Sequence, residues 1–501
     1  MEDSRAPRYD SPPDAMDSLK ICLVSAEVAP FAKTGGLADV SAALARHLHK
    51  KRHDVRLFMP LYRKVKGQVE LEPVPELQDV PMRMGERTYW FSISTGKLPR
   101  STQKVWFVRC PELFDREGIY TQDADEALRF ALLSRAALET CQWTQWAPDI
   151  VHCNDWHTAL MPLYLRTVYA WDKLFARTRT VLTIHNIGYQ GVTGADRLKD
   201  LALENERRFL YQEDLNEGRV NFLKTGLLYA HALTTVSKTY AREIQGDEHG
   251  MGLQGLLRQR SDSLFGIVNG IDGEEWNPRK DPLIPAAFHA RDLRGKEACK
   301  QALCERFGLA FDVRAPLFGI VSRLTVQKGL ELLPDILPVL LRREDMRLVV
   351  LGSGDERYES YFKWLAGAFP KKVAFQAGFD NALAHQIEAG SDLFLMPSRY
   401  EPCGLNQMYS LRYGSVPIVR RTGGLADTVQ PWDGANGTGT GFLFDEFKPE
   451  ALQDAIQRAL EVWRHEGAWA RLVQNGMAQD FSWERQVDEY IALYTRLVPP
   501  R

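Results

Sequence analysis

The sequence predicts an α/β protein with two Rossmann-like domains, each built on a parallel sheet. Two observations predict this class. The chain has 501 residues, whereas a single hydrophobic core stops growing at roughly 250–300 residues. Short apolar strands alternate with helical segments in both halves of the chain, which is typical of doubly wound sheets. Ligands bind outside the carboxyl ends of such strands, so we expect the site in the cleft between the domains.

The predicted first domain covers residues 19–268 and follows a polar extension. Residues 1–18 contain three prolines and no apolar centre, which predicts a disordered tail rather than a secretory signal. Helical spacing of apolar residues predicts helices at 38–49, 125–142 and 160–169. Short apolar runs predict strands at 19–26, 55–59, 104–108, 150–152, 180–184, 232–236 and 265–268.

The predicted second domain covers residues 269–481 and restarts the same alternation. A charged stretch with prolines, at residues 269–285, interrupts the alternation of strands and helices and predicts the boundary between the two domains. Helices are predicted at residues 329–342 and 381–389. Strands are predicted at residues 317–321, 346–351, 373–376, 393–396 and 415–419.

Composition and charge exclude several classes of partner. The net charge is −2, so neither nucleic acid nor an anionic membrane is expected to bind, while an oligomer remains compatible with it. The seven cysteines form no CxxC pair, which favours reduced thiols in a cytoplasmic enzyme over a disulfide framework. No apolar run reaches the 18 or so residues that a membrane-spanning helix needs.

The hexapeptide TGGLAD occurs twice, at residues 34–39 and 422–427, once in each predicted domain. Its two glycines are compatible with a tight turn whose aspartate helps to begin the following helix. They also allow backbone amides to approach an anion. The candidate anion-binding residues are therefore Lys33, Gly35, Gly36, Thr422 and Gly423.

Two further clusters follow predicted strands of the second domain. Arg323 and Lys328, in VSRLTVQKGL, place two cations where they can neutralise a departing diphosphate, although a solvated basic loop is the alternative. Glu401, in EPCGLN, is placed to accept hydrogen bonds from sugar hydroxyls or, alternatively, to cap a helix. The helix that begins near Leu405 and Asn406 offers free amides to a phosphate.

Polar and aromatic residues follow two predicted strands of the first domain. HCNDWH at 152–157 and HNIGYQ at 185–190 combine groups that bind hydroxyls with rings that cover an apolar sugar face. A metal site is disfavoured because neither HExxH nor a CxxC pair is present. For His157, a purely structural role is the alternative to a role in sugar binding. The candidate residues here are Asp155, Trp156, His157, His185, Asn186 and Tyr189.

Together these motifs resemble those of the glycogen and starch synthase family that uses ADP-glucose. The resemblance implies a GT-B arrangement, in which two Rossmann-like domains face a deep interdomain cleft. It also implies that a last helix, within residues 482–501, crosses back to the first domain. The matching stretches are KTGGLADV at 33–40, NDWH at 154–157, HNIGYQG at 185–191, VNGID at 268–272, SRLTVQKGL at 322–330, and SRYEPCGLNQM with RRTGGLAD at 398–427.

The resemblance gives each candidate a role. Phe379 is implied to pack on the nucleotide base, where the family often has tyrosine, and it keeps the stacking face without the hydroxyl. The expected catalytic residues are Arg323, Lys328, Glu401, His185 and Asp155. The expected donor-binding residues are Lys33, Gly35, Gly36, Phe379, Leu405, Asn406, Thr422 and Gly423. The expected residues on the acceptor side are Trp156, His157, Asn186 and Tyr189.

Three features depart from related patterns. Many retaining GT-B enzymes have a second glutamate eight residues after the first, to hold a ribose, whereas this chain has Tyr409 there. Glycogen synthases of this kind also tend to lack that glutamate. Residues 1–18 lie outside the resemblance, and the stretch 152–154 varies in detail and is expected to tune the acceptor side.

The resemblance implies a retaining transfer of glucose from ADP-glucose to the non-reducing 4-hydroxyl of an α-1,4-glucan. Because no second carboxylate is evident opposite Glu401, we expect front-face attack without a covalent intermediate. No cofactor or metal is expected, since Arg323 and Lys328 take the place of a divalent ion. The residues themselves leave the choice between ADP-glucose and UDP-glucose open.

Four alternatives are weighed against this function. Another GT-B transferase with a small-sugar or lipid acceptor is disfavoured by KTGGLAD together with HNIGYQG. A catalytically silent glucan-binding protein is disfavoured because Lys33, Arg323, Lys328 and Glu401 are all present. An NAD-linked dehydrogenase is disfavoured because the sequence lacks the GxGxxG fingerprint, and an ATPase is disfavoured because it lacks a Walker A motif.

Overall fold

The computed structural model describes residues 18–121 and 123–499. The predicted tail, apart from Ser18, lies outside these residues. The first half of the chain contains the strands β1 (Lys20–Val24), β2 (Asp54–Pro60), β3 (Glu72–Pro73), β4 (Val80–Met84), β5 (Arg87–Lys97), β6 (Lys104–Arg109), β7 (Ile150–Asn154), β8 (Arg179–Ile184), β9 (Val192–Gly194), β10 (Arg219–Asn221), β11 (Ala232–Thr235) and β12 (Leu264–Gly266).

The first sheet has ten strands in the order β12-β11-β8-β7-β1-β2-β6-β5-β3, with β4 paired to β5. Its central strands are parallel, as predicted: β1 lies between β2 and β7, with Ile21 opposite both Val55 and Ile150. These strands are buried along their length, which suits a sheet covered on both faces. Strands β9 and β10 form a separate antiparallel pair.

One edge of the first sheet differs from the parallel prediction. Strand β5 runs antiparallel to β6, β4 and β3. Gly85, with φ +63°, begins the short turn that joins β4 to β5, and such a turn links antiparallel neighbours. Strand β4 buries alternate residues only, so its single apolar face lacks the continuous apolar run by which the other strands were predicted.

The second sheet has six parallel strands in the order β15-β14-β13-β16-β17-β18. The edge strand β18 was not predicted. The strands are β13 (Leu317–Val321), β14 (Arg347–Gly352), β15 (Val373–Ala377), β16 (Leu393–Met396), β17 (Val416–Arg420) and β18 (Phe442–Phe444).

Helices cover both sheets. The first half contains α1 (Gly36–Lys50), α2 (Pro111–Phe114), α3 (Glu126–Trp143), α4 (Asp155–Thr158), α5 (Met161–Arg166), α6 (Gln212–Asn216), α7 (Phe222–Tyr229), α8 (Lys238–Glu243) and α9 (Gln254–Gln259). The second half contains α10 (Arg294–Phe307), α11 (Leu333–Arg343), α12 (Glu356–Ala368), α13 (Asn381–Gly390), α14 (Asn406–Arg412), α15 (Gly423–Thr428), α16 (Pro449–Trp463), α17 (Glu466–Met477) and α18 (Trp483–Leu497).

The helix predicted at residues 329–342 begins later than expected. Gly329 has φ +66°, a left-handed conformation that interrupts a right-handed helix. Two 3₁₀ turns, Val326–Lys328 and Leu330–Leu332, therefore flank it before α11 begins at Leu333. A Cβ at this glycine would lie 1.9 Å from the Pro397 carbonyl oxygen, so the loop that carries Lys328 packs tightly on the chain after β16.

The last helix, α18, packs on the core of the first sheet. Trp483, Tyr490 and Tyr494 are buried within that core. The Tyr494 hydroxyl lies 2.6 Å from Nδ1 of His152, in the middle of β7. The C-terminal segment therefore ties the second half of the chain to the strand that precedes Asp155.

All seven cysteines are buried free thiols. Within residues 18–121 and 123–499, no helix combines the length and the apolar character needed to cross a membrane.

Candidate active site

A cavity of about 890 Å³ lies between the two sheets, at the carboxyl ends of their central strands. Residues from both halves of the chain line it. The structure brings all but two of the predicted site residues to this cavity: Lys33, Gly35, Gly36, Asp155, Trp156, His157, His185, Asn186, Tyr189, Arg323, Lys328, Phe379, Glu401, Leu405 and Asn406.

The first TGGLAD copy leaves its glycines open to the cavity. A Cβ added at Gly35 would meet no atom within 4 Å, and one at Gly36 would meet only the Leu405 side chain, at 3.9 Å. Nζ of Lys33 lies 2.8 Å from the Asp39 carboxylate. Burial raises the pKa of Asp39, while the neighbouring ammonium lowers it. The loop thus combines a cation with accessible backbone, which suits an anionic ligand.

Glu27 anchors this loop and was not predicted from the sequence. Its Oε2 accepts a hydrogen bond from the Thr34 amide at 2.5 Å, and its Oε1 accepts from the Thr34 hydroxyl at 2.6 Å. The Tyr120 hydroxyl also donates to Oε1, at 2.5 Å. Its position just after the central strand β1 is the signal that points to it, since sites form at that end of a parallel sheet.

Lys328 and Glu401 form an ion pair in the second domain. Nζ of Lys328 lies 2.6 Å from Oε2 of Glu401, and the Ser398 hydroxyl donates to the same oxygen at 3.0 Å. Glu401 is only 5% exposed, so these two partners replace the water that a buried carboxylate loses. Arg323 follows β13 and is exposed in the cavity, and no carboxylate of the described residues pairs with it. This guanidinium is therefore available to an anionic ligand.

Phe379 and the start of α14 complete the second-domain wall. Phe379 lies between β15 and α13, lines the cavity and is 78% exposed, so its ring face is open to a ligand in the cavity. Leu405 and Asn406 begin α14, whose first-turn amides lack intrahelical acceptors. Nδ2 of Asn406 donates to the Val321 carbonyl at 2.5 Å, which fixes this helix beside the end of β13.

Asp155 holds the loop that follows β8. Its φ is +53°, and its Oδ1 accepts a hydrogen bond from the His185 amide at 2.7 Å. Burial raises the pKa of Asp155 to about 7, and hydrogen bonds from the amides of His185 and Asn186 oppose that rise. A strained backbone conformation and a perturbed carboxyl group in one cleft residue are typical of functional sites.

The protonation of His185 follows from its partner, Asn154. Nδ2 of Asn154 donates to the Val24 carbonyl at 3.0 Å, so its Oδ1 is left to accept from Nε2 of His185 at 2.9 Å. Nε2 therefore carries the hydrogen, and Nδ1 presents a lone pair. Burial lowers the pKa of His185 to about 3, so the ring is neutral.

Aromatic rings form the first-domain wall of the cavity. His157 stacks on Tyr120 with ring centroids 4.9 Å apart, and burial lowers its pKa to about 3. A Cβ at Gly191, where φ is +64°, would lie 2.2 Å from the Trp156 ring, so the 185–191 loop packs directly on that indole. Tyr189 in the same loop is 59% exposed. The wall offers flat apolar faces with polar edges, as sugar rings require.

The loop that contains Tyr189 is shaped by its own side chains. Oδ1 of Asn186 accepts a hydrogen bond from the Gly188 amide at 3.0 Å. The Tyr240 hydroxyl accepts from the Ile187 amide at 3.2 Å. These bonds hold the loop at the mouth of the cavity.

The second TGGLAD copy is not part of the cavity lining, so the structure does not bring Thr422 and Gly423 together with the other candidate residues, and their contact with the donor stays a prediction. The Thr422 hydroxyl and the Gly423 amide both donate to Glu243, at 2.9 and 3.0 Å. A Cβ at Gly423 would lie 1.9 Å from the Glu401 carbonyl oxygen. The Gly423 amide therefore already has an acceptor within the protein.

His152, from the cluster considered for a metal, has other partners. Its two ring nitrogens contact the hydroxyls of Tyr494 and Thr183, both at 2.6 Å. Across the part of the chain that the structure describes, no group of three or more His, Cys, Asp or Glu side chains is arranged to hold a metal ion.

Comparison with known proteins gives a consistent result along the chain. Residues 20–259 match the family profile described as the starch synthase catalytic domain, and residues 304–476 match that of the glycosyl transferases group 1. The glycogen synthase of Koribacter versatilis is 45% identical over 482 residues, covering 95% of this chain and 98% of the relative. That of Anaeromyxobacter dehalogenans (strain 2CP-1) is 47% identical over 489 residues, covering 96% and 100%.

A solved structure is also similar over nearly the full length. The catalytic domain of starch synthase IV from Arabidopsis thaliana, bound to ADP and acarbose, superposes with a TM-score of 0.88. It is 36% identical in sequence and covers 96% of this chain and 99% of its own. The GT-B arrangement predicted from the motifs is confirmed by this similarity.

Proposed function

Because the chain belongs to the glycogen and starch synthase family, we propose that its cleft transfers glucose from ADP-glucose to the non-reducing 4-hydroxyl of an α-1,4-glucan. The chain is a glycosyltransferase of this family, since its curated relatives match it over nearly their whole length. ADP as the nucleotide is supported by the similar starch synthase, which binds ADP and acarbose. A nucleotide sugar and a glucan are thus the two substrates that the cleft accommodates.

The arrangement of charge in the cleft carries the proposal. Arg323 and Lys328 place two cations on the second-domain side, and Lys33 places a third on the first-domain side. A sugar diphosphate develops negative charge as it departs, and fixed cations in a cleft stabilise that charge strongly. The aromatic wall of Trp156, His157 and Tyr189 lies in the same cavity, on the side proposed for the glucan.

We propose a front-face mechanism. The bond between C1 of glucose and the diphosphate oxygen breaks, and the oxygen keeps the electron pair. Arg323 and Lys328 stabilise the negative charge that develops on it. The acceptor 4-hydroxyl oxygen forms its bond to C1 on the face that the diphosphate leaves, and the leaving oxygen takes the hydroxyl proton. The configuration at C1 is therefore retained.

Glu401 is proposed to bind the glucose rather than to attack it. Its carboxylate is already paired with Lys328 and with the Ser398 hydroxyl. A carboxylate held in this way is a poor nucleophile but a good acceptor for sugar hydroxyls. The neutral His185 and the Asp155 carboxyl are proposed to shelter the short-lived sugar cation from the first-domain side, with closure of the cleft excluding water.

No cofactor and no metal ion are part of the proposed reaction. In this proposal Arg323 and Lys328, which both line the cavity, neutralise the diphosphate in place of a divalent cation. We also propose that the enzyme acts in the cytoplasm, with neither nucleic acid nor a membrane as a partner. The net charge of −2 and the buried free thiols support this proposal.

Incorporation of label into glycogen tests the function. Purified protein is incubated with ADP-[¹⁴C]glucose or UDP-[¹⁴C]glucose, with and without glycogen, and with EDTA. Label that enters glycogen from ADP-glucose and resists EDTA is the expected result. Transfer from UDP-glucose alone would show that the assignment of ADP-glucose as the donor is wrong. Glycogen binding without transfer from either donor would favour the silent glucan-binding protein.

A further inference from the structure

The two TGGLAD copies have the same sequence and opposite environments. A Cβ added at Gly35, in the first copy, would meet no atom within 4 Å. At the matching Gly423 it would lie 1.9 Å from the Glu401 carbonyl oxygen, and at Gly424 it would lie 2.1 Å from the Cys403 carbonyl oxygen. The first copy therefore leaves room for a ligand, whereas the second is filled by the loop that carries Glu401.

A glutamate holds the threonine of each copy. In the first copy Glu27 binds the Thr34 amide and hydroxyl. In the second copy Glu243 accepts from the Thr422 hydroxyl at 2.9 Å and from the Gly423 amide at 3.0 and 3.1 Å. Glu27 and Thr34 belong to the same domain. Glu243 ends α8 of the first domain, 180 residues before Gly423 in the second, so its hydrogen bonds cross between the domains.

Two further contacts cross at the same place. The side chain of Asp427, the last residue of the second copy, accepts from the Thr239 amide at 2.9 Å and from the Thr239 hydroxyl at 2.6 Å. The Ser237 hydroxyl donates to the Pro402 carbonyl at 2.7 Å. Residues 237–243 of the first domain thus hold both the second copy and the residue next to Glu401.

The second copy also contacts the backbone of Glu401. The Gly424 amide donates to the Glu401 carbonyl at 3.0 Å. Because Gly423 touches that carbonyl oxygen and Gly424 binds it, the position of the Glu401 backbone depends on the position of the second copy. A connected path therefore runs from Glu243 through Gly423 and Gly424 to the backbone carbonyl of Glu401, the residue whose carboxylate is proposed to bind the sugar.

We propose that the second TGGLAD copy is an interdomain latch, and that Glu243 is a positioning residue that sets Glu401 when the domains adopt the arrangement seen here. The latch consists of Ser237, Thr239 and Glu243 against Pro402, Thr422, Gly423 and Asp427. The proposal rests on the proposed function, because Glu401 is the sugar-binding residue there. In this proposal the two copies have different roles: the first binds the ligand, and the second forms its contacts when the two domains are closed on each other.

The latch predicts a specific kinetic effect. Glu243→Gln keeps one oxygen that can still accept from the Thr422 hydroxyl and the Gly423 amide, but it removes the second contact with that amide and the negative charge of the carboxylate. Because hydrogen bonds to charged groups stabilise more than neutral ones, we expect kcat to fall about 10-fold. The KM for ADP-glucose is expected to change less than 3-fold, since the donor residues themselves are intact. The thermal unfolding midpoint should remain close to that of the wild type.

A second pair of variants approaches the same bond from the other domain. Thr422→Val removes the hydroxyl that donates to Glu243, whereas Thr422→Ser retains it. We expect the valine variant to lose kcat and the serine variant to recover it. Glu450→Gln is the matched control, because Glu450 is an exposed glutamate in the first turn of α16, outside the cavity lining.

Small-angle X-ray scattering provides a readout that does not depend on activity. With saturating ADP, Glu243→Gln and Thr422→Val should have a larger radius of gyration than the wild type, Thr422→Ser and Glu450→Gln. Wild-type kcat and scattering in Glu243→Gln would overturn the latch, as would a loss explained by unfolding alone. If the wild-type enzyme transferred no glucose, the proposed function would fail, and scattering would still decide the latch.

Discussion

Nζ of Lys328 lies 2.6 Å from Oε2 of Glu401, in an ion pair whose side chains are 17% and 6% exposed. The cation proposed to stabilise the departing diphosphate therefore also holds the carboxylate proposed to bind the sugar. Loss of either partner leaves the other buried without its counter-charge, which is far more costly than the loss of a surface pair. The two roles are coupled through one contact.

Lys328→Ala tests this coupling. The variant removes the cation from the leaving group and unpairs Glu401, so we expect kcat to fall by about 10²–10³-fold. The measurement is the initial rate of glucose transfer at saturating donor. Lys363→Ala is the matched control, because Lys363 pairs with Glu359 at 3.5 Å but lies outside the cavity lining. Near-normal turnover in Lys328→Ala would show that this assignment is wrong.

Phe379→Ala tests the nucleotide end of the cleft. Since stacking of a base on an aromatic ring is worth about 1–3 kcal/mol, we expect ADP to bind about 10-fold more weakly. Stability should change little because the ring is 78% exposed. Isothermal titration calorimetry with ADP measures the effect. Trp364→Ala removes another aromatic ring, 56% exposed and outside the cavity lining, and should leave the ADP affinity unchanged. Equal affinities in the wild type and Phe379→Ala would place the base elsewhere.

The raised pKa of Asp155 predicts that the stability of the protein depends on pH. Burial raises its pKa from 3.8 to about 7. A group whose pKa is raised by folding contributes stability that is present below its unfolded value and is lost as the pH rises through the folded value. The free energy of unfolding of the wild type, relative to Asp155→Asn, should therefore fall by up to about 4 kcal/mol between about pH 4 and pH 7.

Unfolding midpoints of both proteins across that pH range provide the measurement. Asp155→Asn is a suitable reference because asparagine keeps a carbonyl oxygen that can accept from the His185 amide. Asp262→Asn changes an exposed aspartate outside the cavity lining, and its profile should run parallel to that of the wild type. A constant difference between the wild type and Asp155→Asn would contradict the raised pKa.

Gly191→Ala tests the packing of the sugar-side loop. The added Cβ would lie 2.2 Å from the Trp156 ring, at a φ of +64°. Gly218→Ala is the matched control, because its φ is +74° and its Cβ would meet nothing within 4 Å. In both variants an alanine in the left-handed conformation lowers the free energy of unfolding by about 1–2 kcal/mol. Only Gly191→Ala must also displace the Trp156 indole.

We therefore expect Gly191→Ala to have the lower unfolding midpoint and, in addition, a raised KM for short malto-oligosaccharides. Gly218→Ala should keep the KM of the wild type. Equal midpoints and equal KM values in the two variants would show that contact with Trp156 is not needed.

The fold class and most of the cavity residues follow from the sequence for a simple reason. Buried parallel strands are continuous apolar runs, and Arg323, Glu401 and His185 each come shortly after one. Because strand ends meet at one edge of a sheet, sequence position alone brings such residues to the cleft. Six strands were not predicted: β3, β4, β5, β9, β10 and β18. Strands β3, β9, β10 and β18 are only two or three residues long, β4 buries only alternate residues, and β5 has the polar residues Ser92, Ser94 and Thr95 among its buried positions.

The partners of these residues could not be predicted, because they depend on tertiary contacts. The position of Glu27 just after β1 indicates that it lies near the cleft, but its bonds to Thr34 depend on how the intervening loop folds back. Gly423 repeats the sequence around Gly35, yet Glu243 from the other domain occupies its amide. Local sequence specifies the turn in both copies, while the surrounding chain decides whether the turn binds a ligand or a neighbouring loop.

The linkage of newly added glucose tests the central claim most directly. Glycogen labelled with the wild-type enzyme and ADP-[¹⁴C]glucose is digested with β-amylase, which releases maltose from non-reducing α-1,4 ends. The account predicts that nearly all of the label is released as maltose. Label that remains in the resistant core, or that is found on a small sugar instead of the glucan, would contradict retaining α-1,4 transfer in this cleft.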